Sequence, residues 1–211
     1  MKKLIILLLA LLGILIGCSH EEILEYNMFY RYENNEYIDI NFYKNGSEEN
    51  ANDILCLIDY WNTMLDHEHV NDTKNNLAAL NVNKYATLDA KLVELIEYTI
   101  DLSKSYKVVN PLYGTLKDLW DLHMITEELP TENECLTQIE VSLSTRVAIN
   151  DNDVHLLGDG LIDLDYIKKG FIGEKIKEYL ISKGIDRYVI NYNADLVLYG
   201  KNKNGGSFGT S

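Results

Sequence analysis

This chain is short of positive charge. It carries 19 Lys and Arg against 33 Asp and Glu, a formal net charge of -14. A surface so acidic repels phosphate backbones and anionic headgroups, which argues against nucleic acid as a partner. Cysteine is nearly absent, with 3 residues; after Cys18 only Cys56 and Cys135 remain, which could pair outside the cell but which nothing in the sequence brings within reach, so no disulfide is expected. Proline is rarer still, with 2, beside many Asn, Lys, Ile and Tyr. That is a bias of AT-rich coding and carries no chemistry. Several catalytic signatures are also missing. There is no glycine-rich phosphate loop, no H-E-x-x-H and no serine nucleophile elbow, and no internal repeat. No apolar run approaches the roughly 20 residues of a membrane-spanning helix.

The longest such run is residues 4–16, behind Lys2 and Lys3. It has the length of a signal-peptide core. It ends Leu15-Ile16-Gly17-Cys18, which resembles the bacterial lipobox, where a cysteine receives a diacylglycerol before cleavage on its N-terminal side. An ordinary signal with an incidental cysteine is the plainer reading, but Cys18 falls directly after Gly17 where a lipidation signal needs it. The expectation is a signal peptide over residues 1–17, a lipidated Cys18 with a tether over 18–27, and a mature protein anchored to the extracytoplasmic face of a bacterial membrane. More than one buried acyl chain gives stable anchoring, at about 0.8 kcal/mol per CH₂.

Beyond the anchor the chain is 46% hydrophobic, enough for a core. Residues 36–43 alternate apolar and polar as a half-buried strand, closed by Asn45-Gly46-Ser47. Residues 52–66 place Ile54, Leu57, Ile58, Trp61, Met64 and Leu65 on one helical face. Cys56 in that helix reads as a small core residue. Residues 67–76 are polar and irregular. A second helix spans 88–103, a short one 131–139, and a hairpin 146–157. A further helix runs 173–183 with Ile176, Tyr179 and Leu180 inward and Gly184 at its C-terminal cap. Residues 187–199 give two strands. Helices and hairpins mix without regular alternation, so the fold class is α+β in a single domain over 28–205, with a polar tail at 206–211.

Candidate chemistry begins with two short clusters. His67 and His69 share a spacing that suits a metal, but their polar surroundings favour a solvated loop. Asp163 and Asp165 stand at i, i+2; they either bind a hard cation such as Mg²⁺ or Ca²⁺ or serve the positive end of the following helix. Lys168, Lys169 and Gly170 follow at what looks like that helix's mouth.

Three stretches then fall into one pattern. Residues 105–120 (SYKVVNPLYGTLKDLW), 160–171 (GLIDLDYIKKGF) and 188–200 (YVINYNADLVLYG) together resemble the ApbE-type flavin transferases, an extracytoplasmic family. Ser105, Pro111, Gly114, Leu116, Leu119 and Trp120 match the first motif. Asp163, Leu164, Ile167, Lys169 and Gly170 match the second, with Phe171 for its tyrosine and Glu174 for its last aspartate. Asn191, Asp195 and Gly200 match the third, and the N-L-A-A-L-N ending at Asn81 is similar to an upstream family segment. The resemblance implies an FAD:protein FMN transferase, which moves FMN from FAD to a threonine of a partner flavoprotein as a phosphoester, with Mg²⁺. It implies flavin contacts at Val108, Val109, Asn110, Asp165 and Phe171, a Mg²⁺ ligand at the backbone carbonyl of Lys168, and a helix N-terminus turned to the diphosphate. It names no catalytic side chain in this chain.

The departures are specific. Asp165 and Tyr166 stand where the family has paired glycines, Asn193 and Ala194 where it has a second pair, and Asn110 where it has an aspartate. The family pattern continues past Ser211, so the expectation is a partial domain whose remaining metal ligands lie outside this sequence. A membrane-anchored lipoprotein that binds flavin or a partner without turnover is the alternative reading.

Overall fold

The computed structural model describes residues 25–32 and 36–208. The signal segment, Cys18 and most of the tether therefore lie outside the described residues. Thirteen elements follow one another: β1 (Tyr26–Arg31), β2 (Tyr37–Lys44), α1 (Glu48–Met64), α2 (Leu77–Asn83), β3 (Tyr85–Thr87), α3 (Ala90–Ser105), α4 (Gly114–Thr126), α5 (Glu132–Ser144), β4 (Arg146–Asn150), β5 (Asp153–Leu157), α6 (Asp165–Ser182), β6 (Arg187–Tyr192) and β7 (Leu196–Tyr199). The described residues group into two compact units, those up to residue 48 together with 181–208, and residues 49–180.

The first unit is one antiparallel sheet in the order β1-β2-β6-β7. Its register follows from period-two burial. Ile38, Ile40 and Phe42 of β2 pair with Tyr192, Ile190 and Tyr188 of β6, and all six are buried. The β6–β7 turn uses Asn193 and Ala194 with φ of 54° and 57°, both left-handed. Phe208 leans on Tyr199, ring centroids 5.2 Å apart, so the segment read as a tail is packed at its start. β1 likewise takes in Tyr26 and Asn27, which the sequence reading assigns to the tether.

The second unit sets four whole helices, α2 to α5, and most of α1 and α6 with a sheet in the order β3-β5-β4. Helix α1 buries Ile54, Ile58, Trp61 and Met64, spaced three and four apart, and α3 buries Leu92, Leu95, Ile96 and Thr99. Trp61 meets Phe171 of α6 edge to face at 4.8 Å. Tyr179 donates to Asp53 at 2.6 Å, tying α6 to α1 by a polar bond as well. The hairpin β4–β5 turns at Asp151, φ 52°.

Four expectations need correction. Cys56 is exposed, because it falls on the outer face between the buried Ile54 and Ile58. Helix α6 begins at Asp165, well before residue 173, so Lys168, Lys169 and Gly170 lie inside it rather than at its mouth. Helix α4 has no counterpart in the sequence reading. Helix α5 runs to Ser144 instead of residue 139, started by a capping box between Thr131 and Glu134.

Candidate functional site

The first two motif stretches are laid side by side. Asp163 donates its amide to the carbonyl of Pro111 at 2.8 Å, and Gly114 donates to Leu161 at 3.2 Å. Tyr113 and Leu161 form a parallel bridge. The backbone of residues 158–164 is held from two further directions. Asn81, buried at the end of α2, accepts from the amide of Ile162 (2.8 Å) and donates to the carbonyl of the same residue (2.9 Å). Thr145, at the end of α5, accepts the amide of Gly160 at 2.8 Å. A Cβ at Gly160 would stand 2.6 Å from that hydroxyl, so only glycine fits there. These bonds satisfy a buried backbone that belongs to no sheet or helix.

The pinned segment ends in Asp163, which is 9% exposed. Its carboxylate accepts the amide of Asp165 at 2.8 Å and so caps α6. Leu164 accepts the amides of Ile167 and Lys168, both at 3.0 Å. The first turn of α6 thus has three of its amides committed within the chain. A diphosphate would meet Asp163 there before it met open N–H groups. Lys168 sits in the same turn, where the helical ladder claims its carbonyl, so a metal on that oxygen would have to use its second lone pair.

His67 faces this corner. Its side chain is only 6% exposed, against the expectation of a solvated loop. Nδ1 lies 3.7 Å from Asp163 Oδ1 and 3.9 Å from Asp165 Oδ1, and Nε2 lies 3.7 Å from Glu68 Oε1. None of these is short enough for a hydrogen bond, and the buried Nε2 has no hydrogen-bond partner. The ligand atoms of His67, Asp163 and Asp165 all lie within 4.8 Å of one another. His69, by contrast, is exposed and bound to Asp66 at 3.2 Å. Asp66 also accepts the amides of Glu68 and His69, which outweigh its burial and hold its pKa below the usual range.

Lys117 serves the acidic side of this corner. Lys117 of α4 binds Asp121 at 2.7 Å and reaches Asp165 at 3.6 Å. Burial works against its charge, but the Asp121 hydrogen bond and the charges of Asp121, Asp163 and Asp165 keep its pKa raised. Burial also pushes the Asp163 carboxyl upward, and the neighbouring Asp165 charge adds to this. Asp118 is raised by burial as well. Next to the cluster opens a hollow of about 500 Å³, lined by His67, Glu68, Asn81 and Asp118 on one side and Leu122 and Ile125 on another.

The remaining flavin contacts implied by the sequence are dispersed. Val108 is 88% exposed, and Val109 and Asn110 lie half-buried in a turn where Val109 donates to Tyr106 and Asn110 accepts from Leu112. Phe171 is about 240° round the helix from Asp165. It lines a separate hollow of about 410 Å³ with Ile167, Gly170, Leu95 and Tyr98. Sequence reasoning missed Lys117, Asp118 and the buried state of His67. The only signal for Asn81 was its place in the motif that ends there.

A family model described as the ApbE family matches residues 37–209. Solved structures agree in fold. The flavin transferase ApbE of Vibrio cholerae superposes with a TM-score of 0.67 at 17% identity, covering 87% of this chain and 62% of that one. The flavinyl transferase ApbE of Pseudomonas stutzeri gives 0.71 at 12% identity, covering 87% and 60%. The ApbE protein of Thermotoga maritima gives 0.64 at 15%, covering 80% and 57%. The chain therefore spans about 60% of the length of these structures. No curated protein matches it.

Proposed function

The chain belongs to the ApbE family, and from that premise we propose that it transfers FMN from FAD to a threonine of a partner flavoprotein. In this reaction the threonine oxygen bonds to the FMN phosphorus. The P–O bond to the adenylate half breaks, AMP leaves, and the threonine proton passes to solvent or a base. Such transfers depend on positioning and on charge neutralisation more than on covalent help from the protein.

The observation that carries this reading is the hydrogen-bonded pairing of the two motif segments at Pro111–Asp163 and Gly114–Leu161. It builds one corner from residues far apart in sequence, beside an open hollow. When bound, Mg²⁺ would neutralise the diphosphate and the leaving AMP. The chain's own residues fix the corner: Asn81 and Thr145 hold its backbone, and Lys117 offsets Asp165 and Asp121. The capped first turn of α6 supports a division of labour in which a cation, not helix amides, meets the diphosphate charge. The protein would work on the outer face of the membrane, held by lipid on Cys18. Cys18→Ser should move it to the soluble fraction.

Incubation with FAD, Mg²⁺ and a threonine-bearing acceptor domain tests the reading. Acceptor fluorescence that survives denaturation, with AMP released in equal amount, is the expected result. FAD binding without transfer would overturn the enzyme and leave a membrane-anchored flavin-binding lipoprotein.

A further inference from the structure

We infer that His67, Asp163 and Asp165 form a divalent-metal site whose imidazole donor selects a borderline transition ion, of the Mn²⁺, Co²⁺ and Zn²⁺ kind, over Mg²⁺. This goes beyond the flavin reading, since it concerns which cation the chain binds and through which side chains. It holds with or without flavin.

Two independent observations meet here. The first is the convergence of one imidazole nitrogen and two carboxylate oxygens within 4.8 Å. The second is the state of His67. A buried imidazole ordinarily has hydrogen bonds at both nitrogens, because burying an unsatisfied polar atom is costly. The His67 side chain is 6% exposed, its Nε2 has no hydrogen-bond partner and lies 3.7 Å from Glu68, and its Nδ1 faces the carboxylates of Asp163 and Asp165 at 3.7 and 3.9 Å. That spacing is too long for a hydrogen bond. It is close to the about 3.4 Å that separates neighbouring ligands of a tetrahedral ion with bonds of about 2.1 Å. Asp165, whose side chain is 41% exposed, would have to rotate to bring the set from within 4.8 Å to that spacing.

The charge balance points the same way. Lys117 lies 2.7 Å from Asp121 and 3.6 Å from Asp165, and faces Asp163 as well. Glu68 and Asp118 add further carboxylates around His67. Lys117, already bound to Asp121, does not balance that many acids, and a divalent cation adds two positive charges. The ligands are also held in place. Asn81 donates to the carbonyl of His67 at 3.4 Å while gripping Ile162, and the Asp165 amide fixes Asp163 Oδ1. Mg²⁺ prefers six oxygens and keeps its waters, whereas imidazole suits later first-row ions. Three protein ligands leave positions open to a substrate oxygen.

The competing explanation is a His67 that only packs against the carboxylates, without metal. The full chain, stripped with chelator and kept free of flavin, should be titrated with Co²⁺ and then Mg²⁺. The expected result is one Co²⁺ per chain with visible d–d absorption, and loss of affinity by more than about 100-fold in His67→Gln and in Asp163→Asn. His69→Gln should bind like the parent chain, and Mg²⁺ should displace Co²⁺ only at more than about 100-fold excess. Should the variants fail to fold, paramagnetic shifts of the His67 ring resonances in the unsubstituted chain report the same contact. Absence of stoichiometric Co²⁺ binding, binding that survives His67→Gln, or unshifted His67 resonances would overturn the site. Equal competition by Mg²⁺ would overturn its selectivity. FAD binding and FMN transfer are read separately, so failure of the metal site and failure of the flavin reading remain distinguishable.

Discussion

The sequence loses a pair of family glycines at two places, and the chain treats the two losses differently. At Asp165–Tyr166 the backbone has become the first turn of α6, with ordinary helical geometry that needs no glycine. At Asn193–Ala194 the backbone keeps its left-handed turn, φ 54° and 57°, and bears the strain of a Cβ. The supports differ too. The first corner depends on the side chains of remote residues, Asn81 and Thr145, while the second is held by backbone and side chain of its own sheet, with Ala194 donating to Asn191 of β6 at 3.0 Å and Asn193 to the carbonyl of Tyr37 in β2 at 2.8 Å. A glycine is therefore dispensable where the backbone takes helical geometry, and costly to replace where a tight hairpin holds it left-handed.

The remote support of the first corner can be removed outright. Asn81→Ala leaves both the amide and the carbonyl of Ile162 unpaired in the interior, so chemical denaturation should show a loss of about 2–4 kcal/mol. Gly160→Ala presses a methyl against Thr145 and should cost about 1–3 kcal/mol by the same measurement. The two glycine losses should then respond with opposite sign when reversed. Asp165→Gly puts glycine into a helix and should destabilise by about 1 kcal/mol, whereas Ala194→Gly relieves a left-handed alanine and should stabilise by about 0.5–1 kcal/mol. Equal signs in thermal melts would break the comparison.

The smallest effect is a pH dependence. Asp163 has a folded pKa above its ordinary value, chiefly through burial. The folded state then binds its proton more readily than the unfolded one. Its contribution to stability is present below the unfolded pKa and is lost as pH rises through the raised folded value. In metal-free protein, Asp163→Asn keeps an acceptor for the Asp165 amide and should flatten that decline in a pH series of melts. A decline that persists unchanged would assign it to another group.

Much of the fold was legible because burial leaves periodic marks. The α1 stripe, the β2 alternation, the β4–β5 hairpin and the Gly184 cap all follow from them. Helix α4 left none: Trp120, Leu122, Met124 and Ile125 remain exposed, and only Gly114 of that helix is buried. Strand β3 is three residues long, too short for a pattern. The first turns of α6 were hidden because Lys168, Lys169 and Gly170 interrupt its apolar stripe while Asp163 supplies the cap from outside. At the site, motif order placed Asp163 and Asp165, but His67 is some ninety residues earlier among polar neighbours. Its burial comes from packing of the 158–164 segment, which no local pattern records.

The Asp163–Asp165 corner is proposed to bring a cation to the diphosphate of FAD, and phosphorus NMR of FAD bound to the chain, with substoichiometric Mn²⁺, is its sharpest test. Both diphosphate resonances should broaden selectively, and Asp163→Asn should abolish the broadening. Phosphorus lines of bound FAD that stay sharp while Mn²⁺ occupies the protein would rule the proposal out.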